Sequence, residues 1–580
     1  MEQYYSNERN VQILISLLKQ FGIKRVVASP GSTNVTFVGS LQQDPFFEMY
    51  SCVDERSAAY MACGLAAETQ EPVVLSCTGA TASRNYFPAL TEAYYRKLQI
   101  LAVTSTQDES KIGNLIPQVI DRACQPNDTV KLSVHLQTVK DENDEWDVCR
   151  KANEAILELN HHGKGPVHVN LTTTYSKDFS IKQLPLAKKI CRFQLGDKLP
   201  EIKEGIKVAI YIGSHLRWGD DEVKLIDEFC KHYNAVVFND PASNYHGKYR
   251  LDYSLASSQK IDDSNNKPEL LIHLGEMSDF AGIVCPKEVW RVSEDGKLSD
   301  RYHLLTNIFE MSEAHFFKQY IQATDRHGDD SYLKEALSVQ ERIQSKIPEL
   351  PFSHIYVAWK LSDKLPHHST LHLGILSPLR SWSYFPLHPS IEVYCNQGGF
   401  GIDGNISSML GASLAALDRF FYVVVGDLSF FYDLNSMGNR HRHSNMRILL
   451  INNSLGAEFH LFKQVNSTYV NGIDRYLSAG GHFGHQSPNL VKHYAQDLGY
   501  EYISASTKEE FDNVYERFIT PEHTDKPIIF EVFTQVGDEN ESLYRMWQIE
   551  KSIKKEIKNR VYNAFGADVI NLGKKILGKE

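Results

Sequence analysis

Cysteine pairs, long apolar runs and a positive net charge are all missing from this sequence. Its nine cysteines are scattered and no two have the C-x-x-C spacing, so neither a zinc site nor a disulfide framework is expected. No apolar run approaches the roughly twenty residues that cross a bilayer, and the opening MEQYYSNERN lacks a signal-peptide pattern. The net charge of -11 argues against a nucleic-acid partner. We therefore predict a reduced, cytoplasmic protein without nucleic-acid or membrane partners.

What the sequence does contain is a repeated alternation of apolar strands and helix-like stretches. Its 580 residues exceed the size at which one hydrophobic core keeps growing, so several domains are expected. Strand–helix alternation predicts an α/β fold in which each domain is a mostly parallel sheet flanked by helices. The predicted strands are 25–29, 72–76, 99–105, 165–172, 207–214, 235–240, 269–275, 370–375, 391–396, 421–425, 447–451 and 527–534.

Two other stretches differ from this pattern in composition. A polar, lysine-rich stretch around 176–205 is interpreted as a linker. Near the end of the chain, Ile549, Ile553 and Ile557 recur every four residues among lysines. This spacing predicts a basic amphipathic helix within 541–580, which we expect to pack on its own subunit or on a neighbour; a role at a membrane surface is the alternative.

The most informative stretch is GDLSFFYDLNSMGNRHRHSNMRILLINNS, at 426–454. The predicted strand at 421–425 ends in Gly-Asp, and the strand at 447–451 ends in Asn-Asn. Because ligands bind at the carboxyl ends of parallel strands, we expect Asp427 and Asn453 to lie close together there. Carboxylate, amide and carbonyl oxygens are hard ligands for Mg2+, which bridges a diphosphate. A helix expected just after GDLS would offer its free N–H groups to the same anion.

This arrangement resembles the signature of the thiamin diphosphate-dependent enzymes, in which Gly-Asp is followed after about two dozen residues by Asn-Asn. The resemblance implies Asp427, Asn453 and the backbone carbonyl of Leu455 as ligands of Mg2+. The spacing is slightly short, and Leu428 replaces the usual glycine. Both departures resemble one branch of the family, the menaquinone-pathway 2-succinyl-5-enolpyruvyl-6-hydroxy-3-cyclohexene-1-carboxylate (SEPHCHC) synthases.

Further motifs extend the resemblance over most of the chain. ASPGSTN, DERSAAYMACGLA, CTGATASRNYFPALTEA and GPVHVNL resemble the pyrimidine-binding domain, and GIDGN at 401–405 precedes the diphosphate site as it does in that branch. The resemblance implies a pyrimidine-binding domain at 1–185, a central Rossmann-like domain at 190–345 and a diphosphate-binding domain at 350–540. The cofactor-binding residues that it implies are Pro30, Gly31, Glu55, Thr78, Thr81, Asn85, Gly401, Ile402, Asp403, Gly404, Gly426, Asp427, Leu428, Ser429, Asn453, Leu455 and Gly456.

The resemblance also assigns roles to individual side chains. Glu55 is expected to hydrogen-bond N1′ of the aminopyrimidine and to promote its imino tautomer; the alternative is an exposed charge. Ile402 is expected to bend the cofactor into its reactive shape, the alternative being core packing, and Ser429 to donate a hydrogen bond near the diphosphate. Gln118 is expected to reach toward the reacting carbon, which makes Glu55 and Gln118 the predicted catalytic residues.

The match fails in the substrate pocket. The SEPHCHC synthase branch uses isochorismate and 2-oxoglutarate and binds their carboxylates with arginines. At the ASPGS turn this chain has Thr33 where the branch has an arginine, and Gln397 stands in place of another. These two residues and the neighbouring Ser32 are predicted to contact the substrate. The Lys-Arg pair of the central domain has no counterpart near Gly282. Only Arg380 remains at a substrate-binding position, so a different substrate is expected.

The histidines indicate less about function than the motifs above do. His441 and His443 have no recognisable metal-binding spacing and are expected to face solvent. His482 and His485, in the glycine-rich AGGHFGHQ, are candidates for contact with a substrate.

The function that these patterns favour is decarboxylation of a 2-oxo acid with thiamin diphosphate and Mg2+, followed by ligation of the carbanion to a carbonyl or enone acceptor. An acetolactate-synthase-like ligase or a simple non-oxidative decarboxylase is the alternative within the family. A non-catalytic nucleotide-binding or scaffold protein is a remote alternative. The resemblance further implies a homodimer or homotetramer with active sites shared between subunits.

Overall fold

The protein is described by a computed structural model that covers residues 4–122, 124–259, 264–462, 472–482 and 486–550. Contacts divide the chain into two compact units, Met1–Leu199 with Glu294–Glu310, and Pro200–Ser293 with Met311–Glu580. None of the helices in the described ranges has the length and apolar character that crossing a bilayer requires.

Nineteen strands are found in the described residues. Those before residue 200 are β1 (Arg25–Ala28), β2 (Glu48–Ser51), β3 (Val73–Thr78), β4 (Ile100–Thr106), β5 (Ser133–Leu136), β6 (Val167–Thr172) and β7 (Cys191–Gln194). They are followed by β8 (Val208–Ile212), β9 (Val236–Asn239), β10 (Arg250–Leu251), β11 (Leu270–Leu274), β12 (Glu288–Val292) and β13 (Leu305–Glu310). The last are β14 (Thr370–Leu373), β15 (Glu392–Cys395), β16 (Phe421–Gly426), β17 (Met446–Asn452), β18 (Glu501–Ala505) and β19 (Ile528–Phe533).

Helices alternate with these strands. The first are α1 (Arg9–Gln20), α2 (Val35–Leu41), α3 (Glu55–Thr69), α4 (Thr81–Asn85), α5 (Phe87–Arg96) and α6 (Glu142–Glu158). Next come α7 (Asp220–Tyr233), α8 (Ser254–Ser258), α9 (Glu313–Gln322), α10 (Ser331–Gln344), α11 (His354–Leu361) and α12 (Ser377–Trp382). The chain continues with α13 (Asn405–Ser413), α14 (Asp427–Tyr432), α15 (Leu490–Asp497), α16 (Lys508–Phe518) and α17 (Val536–Trp547). Short 3-10 helices span Glu109–Lys111, Pro241–Ser243, Ala281–Ile283, Leu434–Gly438, Ala457–His460 and Ile473–Arg475.

The first unit contains a parallel sheet in the order β2-β1-β3-β4-β6-β5. Alternate residues of its strands enter two separate apolar clusters, for example Val74 and Leu101 in one and Leu75 and Ile100 in the other. This alternation follows from the two-residue period of a strand, and burial on both faces explains the continuous apolar sequences. The sheet is therefore covered by helices on both sides.

The second unit contains strands from two further parallel sheets. In one, β10-β9-β8-β11-β12 are neighbours in that order. The other has the order β15-β14-β16-β17-β19-β18. Its central strands β16 and β17 are apolar, β-branched and almost wholly buried, as a strand covered on both faces requires.

The predicted fold class and all twelve predicted strands are confirmed, with shifts of one or two residues at their ends. The interpretation of 176–205 as a linker is wrong in part, because β7 lies within it and pairs in parallel with β13. Both strands belong to the first unit, so this stretch is held by backbone hydrogen bonds that composition does not reveal. The predicted C-terminal amphipathic helix lies largely outside the described residues, and the predicted domain borders stay predictions.

Candidate active site

Two neighbouring strand ends form the centre of the candidate site in the second unit. Strands β16 and β17 pair in parallel, with Gly426 opposite Ile451. The first residue beyond β16 is Asp427, and the first beyond β17 is Asn453. The expectation that these two side chains follow adjacent carboxyl ends is confirmed, and that edge is where parallel sheets bind their ligands.

The carboxyl group of Asp427 is buried without a cationic partner. Asp427 is 4% exposed, and it forms no ion pair within the described ranges. Burial raises the pKa of this carboxyl to about 7, and backbone N–H groups of Leu428, Ser454 and Leu455 act against the rise. An uncompensated carboxylate is costly to bury, so the position suits a bound cation.

The amide oxygen of Asn453 is a second oxygen atom that could bind a metal. Its Oδ1 is buried and accepts no hydrogen bond from the residues that the structure describes. The preceding Asn452 is occupied, because its Nδ2 donates to Oε1 of Glu531 at 2.7 Å and its Oδ1 accepts from the N–H of Ser454 at 3.1 Å. Buried polar atoms nearly always have a partner, so the oxygen of Asn453 fits a metal ligand.

The backbone contributes a third oxygen at this edge of the sheet, and the helix after β16 begins earlier than predicted. The carbonyl oxygen of Leu455 accepts a hydrogen bond from the N–H of Ala457 at 2.9 Å and keeps one lone pair. The helix expected after GDLS begins at Asp427 itself and is only six residues long. Its N–H of Leu428 donates to Oδ1 of Asp427 at 2.7 Å. The helix therefore does not begin after Ser429 as expected, and the N–H of Leu428 is already used by Asp427.

Ile402 is held by two polar side chains. Nδ2 of Asn405 donates to the carbonyl of Ile402 and to the hydroxyl of Ser429, both at 2.9 Å. The hydroxyl of Ser429 in turn donates to the same carbonyl at 2.6 Å. Because its only proton is used there, Ser429 is not a donor to the diphosphate in this conformation, which corrects the predicted role. The Ile402 side chain is half-buried, so it is not an ordinary core residue.

The glycines around this edge permit close approaches of the backbone. A Cβ at Gly401 would lie 2.2 Å from Oδ1 of Asp403, and Gly404 has a φ of 73°. Gly456 packs near Leu428, since a Cβ added there would lie 3.4 Å from Cδ1 of that leucine. The positive φ of Gly404 lies in the left-handed region, which residues other than glycine rarely adopt.

A second group of predicted residues lies in the first unit, at the ends of β1 and β3. A Cβ at Gly31 would lie 1.9 Å from Cγ2 of Thr78, so only glycine allows this contact. Pro30 is exposed, as are Thr81 and Asn85, which begin and end the short helix α4. The structure therefore brings together the predicted cofactor-binding residues of this unit at one edge of its sheet.

Glu55 is the first residue of α3. The carboxylate of Asp54 accepts a hydrogen bond from the N–H of Ser57 at 2.7 Å, which fixes the start of the helix. Glu55 is half-buried rather than fully exposed. Burial raises the pKa of the Cys77 thiol to about 12, and the charge of Glu55 adds to the rise, which places this carboxylate near the end of β3. By contrast, Gln118 is exposed with a φ of 66° and its role stays a prediction.

Arg122 is a residue of this region that sequence reasoning missed. Its guanidinium is 2% exposed and donates to Oγ1 of Thr104 at 3.0 Å and to Oδ1 of Asn170. A Cβ at Gly79 would lie 2.5 Å from its Nη1. Burial lowers the pKa of Arg122 to about 10. Arg122 therefore supports the loop after β3, and its partners, 18 and 48 residues away, leave no local signal in the sequence.

Two parts of the chain match known protein domains. Residues 9–127 match the N-terminal TPP binding domain of thiamine pyrophosphate enzymes, and residues 379–532 match their C-terminal TPP binding domain. Relatives named 2-succinyl-5-enolpyruvyl-6-hydroxy-3-cyclohexene-1-carboxylate synthase include those of Bacteroides thetaiotaomicron, 32% identical over 555 residues, and Phocaeicola vulgatus, 30% identical over 559 residues. Each alignment covers 91% of this chain and 96% of the relative. The chain belongs to the thiamine pyrophosphate enzymes.

Membership of this family confirms the predicted thiamin diphosphate-dependent enzyme, close to the SEPHCHC synthase branch. The two matched domains contain the two groups of residues described above. Glu55 and Thr78 lie in the N-terminal match, and Asp427 and Asn453 lie in the C-terminal match. The buried carboxylate and the open amide oxygen are thus placed in the part of the chain that binds this cofactor in the family.

Two predicted substrate residues of this thiamine pyrophosphate enzyme are buried. The hydroxyl of Thr33 donates to the carbonyl of Ser105 at 2.7 Å. Gln397 is 1% exposed; its Nε2 donates to Oδ1 of Asp240, and its Oε1 accepts from the N–H of Asp279, both at 2.9 Å. Both side chains have their hydrogen bonds inside the fold, so in this conformation they do not offer polar groups to a substrate. Their substrate contact, and that of the exposed Ser32, stays a prediction.

Arg380, the remaining candidate for a substrate carboxylate, has an internal partner. Its Nη2 lies 2.8 and 2.9 Å from the two carboxylate oxygens of Glu458. Both side chains are largely buried. A cavity of about 280 Å3 beside Arg380 is lined by the apolar Leu379, Tyr384 and Trp547, among others. Glu458 was not predicted as part of the site, because it lies 78 residues from Arg380 in the sequence.

The histidine predictions are settled only in part. His441 and His443 are exposed, as expected, and His482 is exposed as well. His485 lies outside the described residues.

Proposed function

We propose that the protein uses thiamin diphosphate and Mg2+ to decarboxylate a 2-oxo acid and to ligate the product to a carbonyl or enone acceptor. The observation that carries this proposal is the pair of uncompensated oxygens at neighbouring strand ends. Among the described residues, none forms an ion pair with the buried Asp427 carboxylate and none donates a hydrogen bond to the buried Asn453 amide oxygen. These atoms, with the carbonyl of Leu455, fit a Mg2+ ion that holds a diphosphate.

The chain's own residues divide the work as follows. Asp427 and Asn453 would hold the metal, while Ile402, fixed by Asn405 and Ser429, would orient the cofactor. Glu55 would hold a proton at N1′ of the aminopyrimidine. When bound, thiamin diphosphate supplies the electron sink that loss of CO2 from a 2-oxo acid requires.

We propose that the substrates carry fewer negative charges than those of the branch that the chain resembles. The relatives are named for a product with a succinyl and a carboxylate group. In this chain Thr33 and Gln397 are neutral and buried, and the charge of Arg380 is compensated by Glu458. Binding several carboxylates with so few free cations would cost several kcal/mol.

We also propose that the protein is a homodimer or homotetramer in which Glu55 of one subunit and Asp427 of another serve the same cofactor. The support for this is the family resemblance, in which the two domains face each other across a subunit boundary. A two-fold axis would then create two equivalent sites in each dimer.

The test has two stages. Adding thiamin diphosphate and Mg2+ together to cofactor-free protein should raise its melting temperature more than either alone, because a ligand stabilises only the state that binds it. A panel of 2-oxo acids is then screened for CO2 release, with products identified by mass. CO2 release without a ligation product would identify a simple decarboxylase, and an unchanged melting temperature would contradict the proposed cofactor site.

A further inference from the structure

Two histidines and a glutamate of the first unit meet outside the candidate active site. His161 and His162 follow helix α6, and Glu310 ends strand β13. The two imidazole rings stack with centroids 3.8 Å apart. Nε2 of His162 lies 2.6 Å from Oε1 of Glu310, and Nε2 of His161 lies 3.3 Å from Oε2. One ligand atom from each residue therefore lies within 4.8 Å of the others.

The inner histidine has a polar atom that the fold does not satisfy. The side chain of His161 is 10% exposed, and its buried Nε2 makes no hydrogen bond within the described ranges. Its Nδ1 lies 2.8 Å from Oε2 of Glu158. In the neutral tautomer in which Nδ1 donates to that carboxylate, Nε2 carries a lone pair, and this lone pair faces the carboxylate of Glu310. A cation between them removes the repulsion.

This arrangement is typical of metal-binding histidines. A ligating imidazole almost always donates its other nitrogen to a carboxylate, which fixes the tautomer and the ring orientation. In this protein the carboxylate beside Nδ1 of His161 is that of Glu158.

Cationic side chains lie beside both carboxylates. Glu158 lies 3.4 Å from Nζ of Lys131, and Oε2 of Glu310 lies 3.9 Å from Nε of Arg192. Oε2 of Glu310 also accepts a hydrogen bond from Nε2 of Gln194 at 3.0 Å. Oε1 of Glu310 contacts Nε2 of His162 at 2.6 Å, and a metal bound between these two atoms would replace that hydrogen bond.

We propose that His161, His162 and Glu310 bind one divalent transition-metal ion of the zinc class, with water as the fourth ligand. Two imidazoles and a carboxylate suit Zn2+, whereas Mg2+ prefers an all-oxygen site. Ligands bound tetrahedrally at about 2.0–2.1 Å are about 3.3 Å apart, so small movements suffice. His162 is 64% exposed, which leaves a path for the ion. Neither cysteine spacing nor the spacing of His441 and His443 indicates this site, because its three ligands are other residues, and Glu310 is far from the two histidines in the sequence.

The proposed ion would cross-link distant parts of the first unit. Residues 161 and 162 follow α6, while Glu310 belongs to the segment Glu294–Glu310, which the chain reaches only after Pro200–Ser293. A metal bound to both would stabilise the folded first unit. The proposal does not rest on the proposed enzymatic function.

The test uses the full chain saturated with thiamin diphosphate and Mg2+, stripped of other metals and titrated with Zn2+ or Co2+. We expect one ion per chain, the visible absorption of tetrahedral Co2+ without a thiolate charge-transfer band, and a Zn2+-dependent rise in melting temperature. His162→Gln and Glu310→Gln should each lower the affinity at least about tenfold. His443→Gln, which changes an exposed histidine elsewhere, should bind like the wild type.

Because His162 is exposed, its substitution leaves the fold intact and isolates the ligand. Glu158→Gln provides a second measurement, since loss of an outer carboxylate lowers metal affinity about 10- to 100-fold. Sub-stoichiometric binding by the wild type, a thiolate charge-transfer band that indicates cysteine ligands, or equal affinities in the wild type, His162→Gln and Glu310→Gln would each overturn the site.

Discussion

At the scale of single residues, the candidate site contains buried polar atoms that have no charged or hydrogen-bonding partner among the described side chains. Asp427 has backbone N–H donors but no cationic side chain beside it among the described residues, and these residues donate no hydrogen bond to the buried amide oxygen of Asn453. Asn452, one position earlier, is fully bonded within the fold. This contrast supports a structural role for Asn452 and the proposed ligand-binding role for Asn453.

We predict that Asp427→Ala abolishes Mg2+-dependent binding of thiamin diphosphate, because the diphosphate then loses a hard ligand of the bridging metal. Calorimetric titration with the cofactor, with and without Mg2+, measures this. Asp418→Ala, at an exposed position before β16, is the matched control and should bind normally. Equal affinity in Asp427→Ala and the control would remove Asp427 from the site.

We predict that Glu55→Gln leaves the fold intact while activity falls by orders of magnitude. The amide fills nearly the same volume but cannot exchange a proton with N1′ of the cofactor. Exchange of the cofactor C2 proton, followed by NMR, should be slower than in the wild type. Glu68→Gln, an exposed glutamate on the same helix, should behave like the wild type. Equal exchange rates in wild type and Glu55→Gln would contradict the assignment.

At the scale of secondary-structure elements, the first sheet contains a buried histidine that links three strands. The ring nitrogens of His168 on β6 lie 2.7 Å from Oγ1 of Thr104 on β4 and 2.7 Å from Oγ of Ser133 on β5. Burial lowers the pKa of His168 to about 3, and the charges of Arg122 and Arg84 lower it further. The imidazole is therefore neutral in the folded protein.

This histidine predicts a pH dependence of stability. Between about pH 6.5 and 3 the unfolded chain binds a proton at His168 that the folded chain does not, so stability falls as the pH falls. From pH 7 to 5 the loss is about 2 kcal/mol. His168→Gln, which keeps a donor and an acceptor, should remove this part of the dependence, whereas His443→Gln should retain it. Denaturant midpoints at the two pH values measure it, and identical shifts in both variants would contradict the prediction.

At the scale of the whole molecule, the prediction concerns assembly. Glu55 lies in the first unit and Asp427 in the second, and we propose that they serve one cofactor from different subunits. Mixing inactive Glu55→Gln with inactive Asp427→Ala under subunit exchange should restore part of the activity. In a mixed dimer one site carries both changes and the other carries neither. If mass spectrometry shows mixed dimers and no activity returns, the sites are not shared in this way.

The choice of substrate is also a property of the whole molecule. We predict that isochorismate with 2-oxoglutarate is not turned over, because Thr33 and Gln397 are buried and Arg380 is paired with Glu458. Product formation is followed by mass spectrometry, and a 2-oxo acid that the protein decarboxylates serves as the positive control. A turnover of about 1 per second or more would contradict the prediction.

Much of the fold follows from local sequence. The apolar, β-branched segments of β4, β16 and β17 predict buried parallel strands because neighbouring residues determine burial on both faces. Short or half-exposed strands gave no such signal: β10 has two residues, and β2 has no buried residue. Whether such segments form strands depends on pairing with strands elsewhere in the chain.

By itself the sequence determined the fold class, the family and the two oxygens at the ends of β16 and β17, because strand periodicity and strand-end residues are local features. Only the tertiary structure decided which polar groups remain open. It pairs Arg380 with Glu458 and buries Gln397 against Asp240, although these partners are 78 and 157 residues apart. Hydrogen bonds and ion pairs form between groups that folding brings together, so their partners cannot be read from spacing along the chain.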